Sequence, residues 1–345
     1  MKRLYPLTAP FLSRITGTDG ILSRDVLQPE ETQDVCPPYI SQRSRERISG
    51  CHHWSSIPAE LAELDARQVT HAPVIRYHHG PGIVGPDGFA TAKKRQKLGS
   101  SFVRNALLQP TTHAPKTAYI NNLSTHLYFG HWLKDGVSQT YLAEDESYYL
   151  SNQANWGHCQ EYRAALGLRS RDDQYIQTDE IVTYSDFAQG SLKRTRYATM
   201  KAQLANSLPA AGQTYEKVFL WRGGEGESRN FRDADHVRDH LERDGWTMLD
   251  VTSPLADLYR VLSGAKIVAA MEGSHLNHIF FCASEGTTQV VLVPHDRFNT
   301  IALGLARAVG NTCGFCVLAG DQQEGYAFEF DAFAQAVEET QAQTP

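Results

Sequence analysis

A chain of 345 residues, 41% of them hydrophobic and 21% charged, is long enough to bury a sizeable core, and chains of this length commonly divide into two domains. Its net charge of −6, with Lys and Arg scattered rather than gathered into a stripe, argues against a nucleic-acid partner held by phosphate neutralisation. No uninterrupted apolar segment approaches the roughly 20 residues that span a bilayer, so any membrane association is expected to be peripheral. The start, "MKRLYPLTAPFLSRITGTDG", carries Pro6, Pro10 and Arg14 where a signal peptide needs a smooth apolar core, and a cytoplasmic location is expected.

In chain order, residues 1–70 are rich in Pro, Arg and Ser with little periodicity. They read as an irregular lead with one short helix at "PAELAELDAR". From "APVIRYHHGPGIVGPDGFATA" a strand and two Gly/Pro turns predict a small β-meander. Strands follow at "KTAYI", "SYYLS" and "QYIQTDEIVTYS", and helices at "HWLKDGVSQTYLAE", "GHCQEYRAALGL" and "SLKRTRYATMKAQLANSL", so residues 71–208 are expected to be an α/β domain. "PAAGQ", Pro209 to Gln213, reads as the linker.

The second half, residues 214–325, alternates strictly. "KVFLW", "WTMLDV", "KIVAAM", "TQVVLV" and "CGFCVL" are strands, separated by helices at "ADHVRDHLERDG", "TSPLADLYRVLSGAK", the stretch after "KIVAAM", and "TIALGLARAVG". Ser253 is the expected N-cap and Pro254 the first helical residue of the second of these helices, with Leu255, Leu258 and Leu262 on one face. Such alternation predicts a parallel, doubly wound sheet. A last helix, "DAFAQAVEET" in residues 326–345, is placed to return to the first lobe. Of six cysteines, too few and too irregularly spaced for a disulfide framework, Cys313 and Cys316 have the gap of a zinc half-site. No second pair stands at ribbon spacing, and both read as small core residues.

Three stretches carry candidate chemistry. In open α/β sheets ligands bind beyond the carboxyl ends of strands, where "MEGSHLN" stands, with Glu272, Gly273, Ser274, His275 and Asn277 in quick succession. Gly273 allows close backbone approach, and the N–H groups of Ser274, His275 and Leu276 are expected to face an anion. Ser274 as a plain N-cap and the two histidines as surface residues is the competing reading. "RGGEGESRNFRD" places Arg222 at a strand end, with Arg229 and Arg232 before the next helix; guanidinium donors suit phosphate oxygens. Its glycines lack the spacing of a dinucleotide fingerprint. In "THLYFGHWLKDG", His131 and Asp135 are four apart and share a helix face. That pairing suits a general base or a packing pair beside Trp132.

Together these stretches resemble glycosyltransferase family 61, including bacterial enzymes of capsular polysaccharide synthesis. The resemblance runs from about Pro73 to Pro294. Members typically show an "HW-L-D"-like motif, here "GHWLKD"; an Arg-bearing loop after a strand, here "WRGGEGESRNFRDAD"; and a Gly-rich motif before an apolar run, here "MEGSHLNHIFF". In many members that last motif begins His-Gly; Glu272 stands in the His position, Gly273 matches, and the Glu-Gly-Ser form resembles the bacterial branch. The resemblance implies a GT-B-like α/β architecture of two Rossmann-like domains facing a cleft, with acceptor on the first and nucleotide-sugar donor on the second. It implies an inverting enzyme working without metal or other cofactor. "RDD" at Arg171 to Asp173 and "RDAD" at Arg232 to Asp235 read as turn or helix-start residues, not as an Asp-x-Asp pair.

The implied mechanism is direct displacement at the anomeric carbon. His131, or alternatively Asp135, takes the acceptor proton. Arg222, Arg229 and the N–H groups of Ser274 and His275 stabilise the leaving nucleoside diphosphate, and Glu272 and Asn277 complete the donor site. Two other readings remain open: a non-catalytic saccharide- or nucleotide-binding subunit of a polysaccharide assembly complex, and a transferase of another anionic group such as enolpyruvate.

Overall fold

The computed structural model describes residues 20–97, 102–143, 147–150, 157–170, 175–223 and 229–344. The chain forms two compact units, one comprising residues up to Glu31 and His71–Arg196, the other Thr32–Thr70 and Tyr197 onward. The division falls inside the helix Ser191–Ser207 and not at Pro209 to Gln213. "RDD" at 171–173 and residues 224–228 of the Arg-bearing loop lie outside the described residues. Among the described residues no helix is long and apolar enough to cross a membrane.

The first unit is built on a mixed sheet. Ser23–Gln28, Val74–His79, Tyr175–Ser185, Gly82–Gly85, Gly88–Thr91 and Arg95–Lys97 lie side by side in that order with antiparallel pairing. Thr111–Ile120 pairs in parallel with both Tyr175–Ser185 and Ser147–Leu150. This is not the parallel, doubly wound sheet that the resemblance implies for this half. Val74–His79 and Gly82–Gly85 run in the same direction along the two halves of Tyr175–Ser185, and the turn between Gly85 and Gly88, far shorter than the dozen or more residues of a parallel crossover, returns the chain antiparallel.

The second unit holds the parallel sheet. Its strands are β1 (Tyr39–Ile40), β2 (Tyr215–Trp221), β3 (Thr247–Asp250), β4 (Ala265–Met271), β5 (Thr288–Pro294) and β6 (Thr312–Leu318), in the order β3-β2-β4-β5-β6-β1. β4 and β5 are apolar along almost their whole length because helices cover both faces. The covering helices are α1 (Gln42–Arg47), α2 (Ile57–Asp65), α3 (Ala234–Arg243), α4 (Leu255–Leu262), α5 (Leu276–Cys282), α6 (Ile301–Ala308) and α7 (Phe330–Ala342). Leu255, Leu258 and Leu262 are buried as their spacing predicts, although Pro254, not Ser253, caps α4. Cys313 and Cys316 sit in the core, where burial pushes both thiols up to about 12.

Two segments join this unit against expectation. α7 packs on β5 and β6 instead of returning to the first lobe. Residues 32–70, read as an irregular lead, supply an edge strand and two helices. β1 pairs in parallel with β6 at Tyr39 and Gly314. The Arg47 guanidinium donates to the Val317 carbonyl at 2.7 Å and to Glu329 at 2.6 Å. Glu60 in α2 accepts from both the N–H and the hydroxyl of Thr300, at 2.8 and 2.7 Å, and so caps α6 from a distant element. These anchors are polar and far apart in sequence, which is why no periodicity announced them.

Candidate functional site

At the carboxyl end of β4 the ladder runs one residue further: the Glu272 N–H donates to the Leu292 carbonyl at 2.8 Å. The chain then turns sharply through Gly273, whose φ is +155°. A Cβ there would lie 2.9 Å from both Arg229 Nη1 and His275 Nδ1, so glycine is required by close approach as well as by conformation. Arg229 Nη1 donates to the Glu272 carbonyl oxygen at 2.6 Å and stands 2.9 Å from its carboxylate. Arg297 Nε lies 3.7 Å from the same carboxylate oxygen. Arg222 follows β2 directly and, with Arg229, presses electrostatically on His275.

His275 is 8% exposed. Burial, then Arg222 and Arg229, push its pKa down to about 3 despite a hydrogen bond to the Met271 backbone, so the ring is neutral at physiological pH. Its Nε2 and the Asn277 Oδ1 are buried without a hydrogen-bond partner. Asn277 Nδ2 donates to the Ser274 carbonyl at 2.8 Å and ties the turn. The helix dipole contributes less than the sequence suggests. α5 has seven residues, and the Leu276 N–H is already taken by the Gly273 carbonyl at 3.1 Å. Ser274 is exposed, while His275 and His278 are both buried and not surface residues.

What gathers here is two guanidiniums, Arg229 and Arg297, at one carboxylate, with Arg222 acting on the neighbouring His275, a cationic cradle suited to phosphate oxygens. Arg297 was missed by sequence reasoning. Its signal was its place three residues beyond the carboxyl end of β5, the same kind of position that singled out Arg222. Arg232, by contrast, is half exposed beside Glu324 at 3.6 Å and lies outside this group. Tyr326 closes the neighbourhood, its hydroxyl 3.3 Å from Asp296 and its pKa pushed up to about 12 by burial and that carboxylate. A hollow of about 530 Å³ lined by Lys266, Glu285, Thr287 and Gln341 opens at the opposite, amino ends of β4 and β5, away from this chemistry.

The first unit carries a second candidate cluster. Asn122 and Thr125 form a reciprocal capping box that starts the helix Leu123–Leu127. After a single turn at Phe129–His131 the backbone widens into a π-helix over Trp132–Val137, a distortion frequent at functional sites. His131 Nδ1 stands 2.7 Å from Asp135 Oδ2. Asp135 is fully buried and also accepts from Lys134 at 2.9 Å and from Lys193 at 2.6 Å. Burial alone would raise its carboxyl, but Lys134, Lys193 and His131 hold it far below the usual carboxylate range.

Lys193 is itself fully buried and donates to the Asp186 carbonyl at 2.9 Å. Asp186 in turn takes both Arg196 Nη atoms at 2.8 and 2.7 Å. Sequence reasoning found His131 and Asp135 from their spacing and missed Lys193, Asp186 and Arg196, which no local pattern links to them. An ionised Asp135 can only accept, so the His131 ring donates through Nδ1 and leaves the Nε2 lone pair on a side chain 30% exposed.

No curated protein matches the chain. The family described as Glycosyltransferase 61 matches residues 129–291, a stretch that opens two residues before His131 and takes in Asp135, Arg222, Arg229 and the whole turn from Glu272 to Asn277. Over that stretch, just under half of the chain, the protein is similar to glycosyltransferase family 61, and the match supports a glycosyltransferase enzyme.

Proposed function

We propose that the chain is an inverting, metal-independent glycosyltransferase that moves a sugar from a nucleotide-sugar donor to a saccharide acceptor in surface or capsular polysaccharide synthesis, the role suggested by its Glu-Gly-Ser motif. The observation that carries the reading is the arginine cradle beyond the carboxyl ends of the parallel strands, where Glu272 holds Arg229 and Arg297 and Arg222 follows β2. Leaving-group departure builds charge on a nucleoside diphosphate, and fixed guanidiniums in a partly desolvated site stabilise that charge without reorganising. Glu272 orients Arg229 and Arg297 and so acts as a positioning carboxylate as well as a candidate partner for donor hydroxyls.

On the acceptor side His131 is the base. Its Nε2 takes the hydroxyl proton as the acceptor oxygen attacks the anomeric carbon, and the bond to the diphosphate oxygen breaks with its electron pair. Asp135 is the weaker candidate for that task. Its buried carboxylate already accepts from two lysines and from His131, and its part is to fix the His131 ring and stabilise the imidazolium that forms.

The test is transfer from a panel of nucleotide sugars to oligosaccharide acceptors, followed by NMR of the new anomeric centre. An inverted linkage, formed at an undiminished rate in chelator, is expected. A retained configuration or loss of rate on chelation would contradict the corresponding half of the proposal. Nucleotide-sugar binding with neither transfer nor donor hydrolysis would instead favour the non-catalytic binding subunit.

A further inference from the structure

The loop that carries Arg297 is clamped by a segment from near the start of the chain. The N–H groups of Ser49 and Gly50 donate to the His295 carbonyl at 2.9 and 3.1 Å, and the Phe298 N–H donates back to the Gly50 carbonyl at 3.0 Å. The Ser49 hydroxyl meets His295 Nδ1 at 2.6 Å, and Cys51 bridges to Phe298. At Gly50 a Cβ would fall 2.3 Å from the Asp296 carbonyl oxygen, so only glycine permits this approach. The three residues after Cys51 are all rings. His52 packs against His53 with centroids 4.4 Å apart and rings tilted by 41°, and against Trp54 at 4.6 Å with a tilt of 33°. Trp54 nevertheless remains 53% exposed.

An indole kept half in water at a fixed place costs apolar exposure that folding ordinarily removes. Here it is held within a few residues of the loop bearing a cradle arginine. A nucleoside diphosphate needs cationic donors for its phosphates and, a short distance away, a flat π surface for its base. We infer that His52, His53 and Trp54 form the base-stacking platform of the donor site, so that the N-terminal segment, outside the stretch matched by the family, supplies the nucleobase subsite. The inference rests on the reading of the arginine cradle as a diphosphate site.

Isothermal titration of the full chain with a panel of nucleoside diphosphates and with inorganic pyrophosphate separates the two claims. The wild type is expected to bind at least one nucleoside diphosphate more tightly than pyrophosphate. Trp54→Ala should weaken that nucleotide about ten-fold or more, the scale of a lost base stack, and leave pyrophosphate affinity unchanged; Trp54→Phe should restore most of the loss. Arg297→Ala should weaken both ligands alike. Equal nucleotide affinity in wild type and Trp54→Ala, or no preference of the wild type for nucleotide over pyrophosphate, would overturn the platform and leave the cradle standing. Equal weakening of nucleotide and pyrophosphate by Trp54→Ala would overturn it too. Failure of the wild type to bind either ligand would overturn both.

Discussion

His275 shows how an environment can reverse the role a residue type suggests. A histidine beside a diphosphate would be expected to serve as a cation, yet burial and two arginines keep it neutral, with a pKa of about 3 against the ordinary 6.5. In the unfolded chain the ring takes a proton near 6.5; in the folded chain it does not until about 3. Over that window the unfolded state binds the extra proton, so stability falls as pH falls. His275→Gln should therefore flatten the stability–pH curve between pH 6.5 and 3, by up to about 1.4 kcal/mol per pH unit; chemical denaturation at stepped pH would show it. Identical slopes would mean that the ring protonates freely in the folded state. Asp135 behaves oppositely. Its carboxylate is stabilised by neighbours that depend on it, and Asp135→Asn leaves Lys193 buried without its main counter-ion. The expected cost is about 3–5 kcal/mol in urea unfolding at neutral pH, and a loss below 1 kcal/mol would show that water reaches this network.

At the scale of elements, what was legible in the sequence was what periodicity records. The apolar runs of β2, β4, β5 and β6 and the Leu255, Leu258, Leu262 face of α4 were readable because burial on one or both faces leaves a local pattern. The placement of "MEGSHLN" at a strand end followed from that alternation, and with it the clustering of Glu272, Gly273, His275 and Asn277 there. Arrangements made by pairs distant in sequence were not legible. Arg297 reaches Glu272 across the sheet top, Lys193 reaches Asp135 from another helix, and Glu60 caps α6 from α2. The π-helical turn at Trp132–Val137 was also invisible, since its residues spell an ordinary helix. Because Glu60 is the partner that replaces a local N-cap on α6, Glu60→Ala should destabilise the second unit by about 2 kcal/mol, the scale of lost charge-assisted cap bonds. A melting temperature unchanged from wild type would assign that cap to water instead. Gly273→Ala should be worse tolerated functionally than thermally, because its Cβ displaces Arg229 and His275. Nucleoside-diphosphate affinity should drop by ten-fold or more while the fold persists, as read by titration beside circular dichroism, and unaltered affinity would show that the turn can yield.

For the whole molecule, length and composition suggested two domains, and two units are found; the parallel sheet of the second followed from its alternation, whereas the exact contents of both units and the kind of the first did not follow from the order of segments. Residues 32–70 and α7 both belong to the second unit, and the first unit's sheet is mixed rather than doubly wound. In the proposed mechanism the second unit binds the donor and the first abstracts the proton, and this division is exposed to one experiment above others: His131→Ala, with turnover and donor affinity measured separately. If His131 is the base, turnover falls roughly 100-fold or more while nucleotide-sugar affinity and melting temperature stay near wild type, since proton transfer matters only in the transition state. If turnover of the folded variant is preserved, His131 is a packing residue beside Trp132 and the mechanism proposed for this enzyme is wrong.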